Sequence, residues 1–154
     1  MNEFGINIIG ENAQIFEPVT VGFPSRVNIG KTGFSGTTIG HHAVLRSGTI
    51  IYCDVIIGDN FQSGHNTLIR EKTRIGDRTA IGTATIIDGN TQIGNDVSLQ
   101  SMVYIPTNTI IGDHGRRIVD VQPGSPFGRV FADRIAPQRI GLTTADVNAA
   151  ACAI

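Results

Sequence analysis

Aliphatic residues return at every sixth position along most of the chain. Counting by six from Ile39 meets Leu45, Ile51, Ile57, Ser63, Ile69, Ile75, Ile81, Ile87, Ile93, Leu99, Ile105 and Ile111, and only Ser63 is not aliphatic. Four places after each comes a small or β-branched residue, from Ala43 and Thr49 to Val103 and Thr109, with Phe61 as the one bulky exception. A six-residue period matches neither the 3.6 of a helix nor the open alternation of a long strand, but it accommodates a short strand plus a corner. Each unit therefore predicts one side of a coil, with the aliphatic position and the small residue two places before the next one both facing inward.

Glycine follows the register position at Gly58, Gly64, Gly76, Gly82, Gly94 and Gly112, where it is expected to supply the backbone freedom of a corner. Asp59, Asp77, Asn95 and Asp113 come next, residues that tolerate such corners. Composition agrees with a repeat of tight corners, since the 154 residues include 19 glycines and no tryptophan. The length fits one domain. A net charge of −1 without runs of either sign argues against nucleic acid and against anionic membrane surfaces as partners. Cys53 and Cys152 form neither a metal spacing nor a disulfide framework and read as reduced thiols. No stretch is apolar enough for a membrane span, and the N-terminus lacks a secretory pattern, so the expectation is a soluble cytoplasmic protein.

The stretch "IGDRTAIGTATIIDGNTQIGNDVSLQS" resembles the hexapeptide repeat of the left-handed parallel β-helix acyltransferases. The likeness runs without a gap over residues 39–112 and less regularly over 6–30, through Ile9-Gly10, Ile15, Val21-Gly22 and Ile29-Gly30. It implies an all-β fold, a left-handed parallel β-helix with three hexapeptides to each triangular coil. The β-helix domain is expected over residues 1–112, and "KTGFSG", residues 31–36, breaks the register as a loop pushed out of a corner. Stacked coils would bury an aliphatic ladder and satisfy one another's backbone groups at a spacing of ~4.8 Å.

After Ile111 the register positions fall on Arg117 and Pro123, so the repeat is expected to stop, leaving 113–154 as a non-repeat tail. Within it "TTADVNAAACAI" predicts a short helix over 143–152: Thr143 and Asp146 form a capping-box pattern and the alanines favour helix. Similarity to the sugar-nucleotide N-acetyltransferases of polysaccharide biosynthesis implies further coils after "PTNTIIGDH". The composition changes there instead, which fits either a C-terminal cap or an altered reading frame.

Acyl transfer needs a base for the nucleophile's proton, and histidine suits that task near neutral pH. Of His41, His42, His65 and His114, His65 stands where the register is broken, between Ser63 and the rest of "SGHN". With eighteen residues to a coil, as the resemblance implies, His65 stacks with Ser47, Thr83 and Ser101 in a polar column at a corner. His41 shares a column with Asp59 and Asp77, where a carboxylate one coil away would orient an imidazole, and is the second choice. His42 and His114 lie four coils apart and read as surface residues. In the resembling trimers the acyl-CoA and acceptor lie in a cleft between adjacent β-helices. That likeness puts His65 and Asn66 at the cleft, with Arg70 and Glu71 nearby, and Ser101 of the same column joins the substrate-binding set.

Some proteins with this repeat are zinc carbonic anhydrases, but the position of their second histidine falls on Arg70 in "SGHNTLIREK", and a guanidinium does not ligate a cation. No metal is expected. Arg46, Arg70, Arg74 and Arg78 are candidates for phosphate contacts. The reading is a homotrimer transferring acetyl from acetyl-CoA to the amine of a nucleotide-linked amino sugar, with His65 as base and corner amides and hydroxyls holding the oxyanion. The alternatives are O-acetylation of a small hydroxyl acceptor, and a non-catalytic β-helix scaffold.

Overall fold

The computed structural model describes residues 1–118 and 129–130; the helix expected at 143–152 lies outside the described residues. The described chain is a parallel β-solenoid, as the six-residue period predicts, with short strands stacked into three ladders. The first sheet has six strands, running from Asn2–Glu3 through Ile50–Tyr52 and Ile86–Ile87 to Tyr104–Ile105. The second runs from Ile6–Ile9 through Ser35–Ile39 and Arg74–Ile75 to Ile110–Ile111 and Arg129–Val130. The third joins Gln14–Ile15, Val44–Leu45, Ala80–Ile81, Ser98–Leu99 and Arg116–Ile118, bridged in the middle by Gln62.

Both inward columns behave as the periodicity requires. Ile39, Leu45, Ile51, Ile57, Ile69 and Ile87 are at most 2% exposed, and so are the inward threonines Thr37, Thr49, Thr67, Thr73, Thr79, Thr85, Thr91 and Thr109. Fully burying a side chain of this size contributes roughly 1.5–3 kcal/mol, which is why one coil cannot stand alone but a stack can. The threonine hydroxyls are satisfied by corner carbonyls: Thr67 Oγ1 donates to Gly64 O at 3.1 Å and Thr91 Oγ1 to Asp88 O at 2.8 Å. At the broken unit the two inward positions exchange roles, since Phe61 is wholly buried where a small residue usually stands and Ser63 is wholly buried in the aliphatic column.

The glycines serve a different purpose from the one expected. Gly58, Gly64, Gly76, Gly82, Gly94 and Gly112 do not have positive φ; the left-handed residue comes two places later, at Asn60, Asn66, Arg78, Ala84, Asp96 and His114. What Gly58 provides is room, because a Cβ there would lie 2.2 Å from Asp77 Oδ1 and 2.8 Å from Asp77 N in the next coil. The Asp or Asn that follows Gly58, Gly76, Gly94 and Gly112 caps the coil before. His41 N donates to Asp59 Oδ1 at 2.8 Å, Asp59 N to Asp77 Oδ1 at 2.9 Å, and Asp77 N to Asn95 Oδ1 at 2.8 Å.

Two boundaries also move. Paired strands are 18 residues apart from Thr38↔Ile56 to Ser98↔Arg116, but 30 apart at Ile9↔Ile39, so one coil is twelve residues longer than these. Most of the excess lies in residues 24–34, between Thr20–Phe23 and Ser35–Ile39, with the rest in register irregularities at the ends of those two strands, rather than in the expected 31–36. Ser35 and Gly36 already pair with the first coil, and Ile29, expected in the core register, is 68% exposed within a turn. The ladder also continues past residue 112. A one-residue irregularity between Ser98↔Arg116 and Leu99↔Ile118 puts Ile118, not Arg117, at the next register position, and Val130 stands opposite Ile111. A count by six misses this because one bulged residue shifts every later position.

Candidate functional site

The three edges of the solenoid carry different chemistry. One, between the second and third sheets, is the capped glycine-aspartate edge just described. The next, between the third and first sheets, carries His65. The last, between the first and second sheets, carries Arg70 and the insertion.

His41 and His65 occupy equivalent slots on their edges, two residues beyond an inward position, and the structure separates them chemically. The backbone N–H of Glu11 donates to His41 Nδ1 at 3.0 Å, so the imidazole does what an aspartate does elsewhere on that edge. An Nδ1 that accepts leaves the ring proton on Nε2 in the neutral tautomer, where it blocks proton uptake. Asp59 touches the His41 backbone, not its ring, so the orienting carboxylate expected for His41 is used for capping. His65 Nδ1 instead lies 2.8 Å from Ser47 Oγ, a hydroxyl that can accept as well as donate. When Nδ1–H donates to Ser47, the outward Nε2 carries a free lone pair.

Around His65 the polar column is assembled as the coil length predicts. Ser101 Oγ accepts from Thr83 N at 3.1 Å, and Ala84 N donates to His65 O at 2.8 Å. Asn66 takes the left-handed conformation with φ 53, and its Oδ1 sits where a side chain on Gly48 would be. Ser63, the one non-aliphatic residue of its column, is occupied internally: its Oγ accepts from Arg46 N at 2.9 Å and pairs with Thr49 Oγ1 at 2.8 Å. Arg46 Nη1 also donates to Ser63 O at 2.7 Å. The break in the register thus has a packing cause of its own, and it leaves His65 and Asn66 exposed at the surface of the edge.

Arg70 and Glu71 do not join His65. They belong to the next edge, across the width of the first sheet. Arg70 Nε and Nη2 donate to Glu71 Oε2 and Oε1 at 2.8 and 2.9 Å, and the guanidinium lies 4.9 Å from the Tyr52 ring centre. The hydrogen bonds from Arg70 hold the Glu71 carboxyl below its usual range, and the same bonds raise the Arg70 pKa. The charge of Arg70 is therefore already met within the chain. Arg78 is likewise held, bidentate on Asp96 at 2.8 and 2.9 Å.

Position-by-position reading missed what the insertion does. Cys53 is buried and free, and its Sγ accepts from Ser25 N at 3.3 Å and Asn28 Nδ2 at 3.4 Å. This fastens residues 24–34 along the Arg70 edge and closes an open pocket of about 320 Å³ between Ser25–Val27 and the corners at Arg70–Lys72, Asp88–Asn90 and Thr107. The thirty-residue step across the insertion is the signal that would have found it.

Among the described residues no three His, Cys, Asp or Glu side chains gather around a point that could hold a metal ion, and no helix is long and apolar enough to cross a membrane.

No family model matches the chain, and no curated protein matches it. Among solved structures it is similar to serine acetyltransferase isoform 3 from Entamoeba histolytica, in complex with cysteine, at 23% identity and a TM-score of 0.50, over 58% of this chain and 34% of that one. It is also similar to LpxA, a UDP-N-acetylglucosamine acyltransferase from Bacteroides fragilis 9343, at 19% identity and a TM-score of 0.53, over 77% of this chain and 51% of that one. The likeness is one of fold, the hexapeptide-repeat solenoid. The chain spans about a third of the length of the first structure and about half of the second.

Proposed function

We propose that this solenoid is an acyltransferase in which His65 is the base, acetyl-CoA the donor and the amine of a nucleotide-linked amino sugar the acceptor. The observation that carries the reading is the Ser47–His65 contact at 2.8 Å, in which an Nδ1–H donated to the hydroxyl keeps the lone pair on Nε2, while the equivalent His41 is spent on a backbone amide. Nε2 of His65 takes the proton from the amine as nitrogen bonds to the thioester carbonyl. The tetrahedral oxyanion collapses, the carbon–sulfur bond breaks, and the CoA thiolate leaves and takes up a proton. Hydroxyls of the same column, Thr83 and Ser101, and the Asn66 amide are the polar groups on hand for substrate and oxyanion. A donor drawn from the metabolic CoA pool goes with a cytoplasmic location.

The functional unit we propose is a homotrimer closed through the first sheet. The outward column of that sheet is Ile50, Leu68, Ile86 and Tyr104, of which Ile50, Ile86 and Tyr104 are 37–45% exposed, whereas the third sheet presents Val44, Gln62, Ala80 and Ser98. The His65 edge borders this apolar face, so a copy docked on it would cover the imidazole and exclude water from it.

Calorimetric titration with acetyl-CoA, combined with light scattering on the same sample, tests the reading. Saturable binding at one site per subunit of a trimer supports it. A well-folded trimer that binds no acetyl-CoA overturns it in favour of a scaffold.

A further inference from the structure

We infer that the pocket on the Arg70 edge is a binding site for a small phosphorylated sugar or polyol, independent of any transfer at His65. The pocket arises from two local facts. Gly89 stands in the slot that Glu71 fills one coil before and Thr107 one coil after, so a gap opens between those side chains. The insertion then supplies a wall, which Cys53 pins through Ser25 N and Asn28 Nδ2.

Arg70 and Glu71 neutralise one another, and Asp88 Oδ2 accepts from Tyr104 OH at 2.5 Å. Arg26 on the insertion and Lys72 at the corner both line the cavity and have no ion-pair partner among the described residues. With Arg70 and Glu71 offsetting one another, Arg26 and Lys72 outweigh the Asp88 carboxylate and leave the lining net positive, which suits an anionic group such as a phosphate monoester, carrying about −1.5 to −2 at neutral pH. Ser25, only 7% exposed, also lines the cavity, and its hydroxyl has no partner among the described residues. Thr107 and the outer lone pairs of Glu71 and Asp88 add acceptors and a donor suited to sugar hydroxyls.

Size narrows the ligand class. About 320 Å³ is near the lower end of the range that ligand pockets occupy, roughly 300–1,000 Å³. That suits one sugar ring with its phosphate and is too small for coenzyme A.

The test is calorimetric titration of the full chain with D-glucose 1-phosphate, with D-glucose and inorganic phosphate as parallel probes. Glucose 1-phosphate is expected to bind saturably and more tightly than either probe. Arg26→Gln and Lys72→Gln should each raise its Kd at least about tenfold, as loss of a charge-assisted contact does. Lys31→Gln, on the same insertion but outside the pocket, should leave Kd unchanged. Thermal midpoints matching the parent protein establish that the variants are folded. Absence of saturable binding overturns the inference, as does binding that neither pocket variant weakens or glucose binding as tight as its phosphate. Acetyl-CoA titration of the same variants separates this site from the His65 reading, because it reports on that reading alone.

Discussion

His65 Nδ1 lies 2.8 Å from Ser47 Oγ in the preceding coil, while His41, in the equivalent slot, accepts a backbone N–H at 3.0 Å. Only the first arrangement lets the outer nitrogen accept a proton. His65→Ala is therefore expected to lower kcat by about two to four orders of magnitude, and His41→Asn, which keeps an acceptor for Glu11 N–H, to change it by no more than a fewfold. Ser47→Ala should cost less than His65→Ala and add little to it, because the hydroxyl acts through the imidazole. A double-mutant cycle on kcat measures this coupling. Turnover of His65→Ala within a fewfold of the parent would remove the base assignment.

The corner slots predict substitutions of opposite sign. Gly58→Ala places a methyl 2.2 Å from Asp77 Oδ1 and against its backbone N, so a destabilisation of roughly 1–3 kcal/mol is expected. Ala84 holds φ 55, a conformation that costs an alanine roughly 1–2 kcal/mol, and Ala84→Gly should raise stability by up to about 1 kcal/mol after the entropy of glycine is counted. Equilibrium urea unfolding of both variants checks the pair.

The apolar column on the first sheet predicts its own disruption. Ile86 is 39% exposed between Leu68 and Tyr104, and Ile86→Glu would put a charge at the middle of the interface proposed for the trimer. A monomer by light scattering, with the circular dichroism of the parent, is the expected result. An unchanged mass would place any assembly on another face.

Tyr104 gives a pH signature. Its hydrogen bond to Asp88, with smaller contributions from desolvation and the carboxylate charge, raises the phenol above its ordinary range. An acid held neutral in the folded state stabilises that state below its unfolded pKa, and the contribution is lost as pH rises through the raised value. In a Tyr52→Phe background only Tyr104 remains to be followed by near-ultraviolet absorbance. Asp88→Asn should move that titration to lower pH, and an unmoved curve would show that the contact is not formed in solution.

Much of the fold was legible in the chain. Burial repeats with the six-residue period, so the inward isoleucines and threonines could be named before their neighbours were known. The column Ser47, His65, Thr83 and Ser101 was also legible, since it needs only the coil length. The proximity of Arg70 to His65 was not. Five residues along the chain look close, but a corner and a strand intervene, and a straight side of the solenoid carries the chain from one edge to the next.

The sequence by itself determined a stack of short parallel strands around an aliphatic and threonine core, because inward and outward positions are set by local backbone geometry and by hydrophobicity. The tertiary structure alone decided what each corner does. The need for glycine at position 58, the capping by Asp77, the tautomer of His41 and the pocket beneath Ser25 all depend on residues 18 or more positions apart, up to Ser25 and Thr107 in the pocket. The twelve inserted residues, and the bulge near Leu99, reset which residues meet. Such contacts exist only once the coils have stacked, and a period read along the chain carries no record of them.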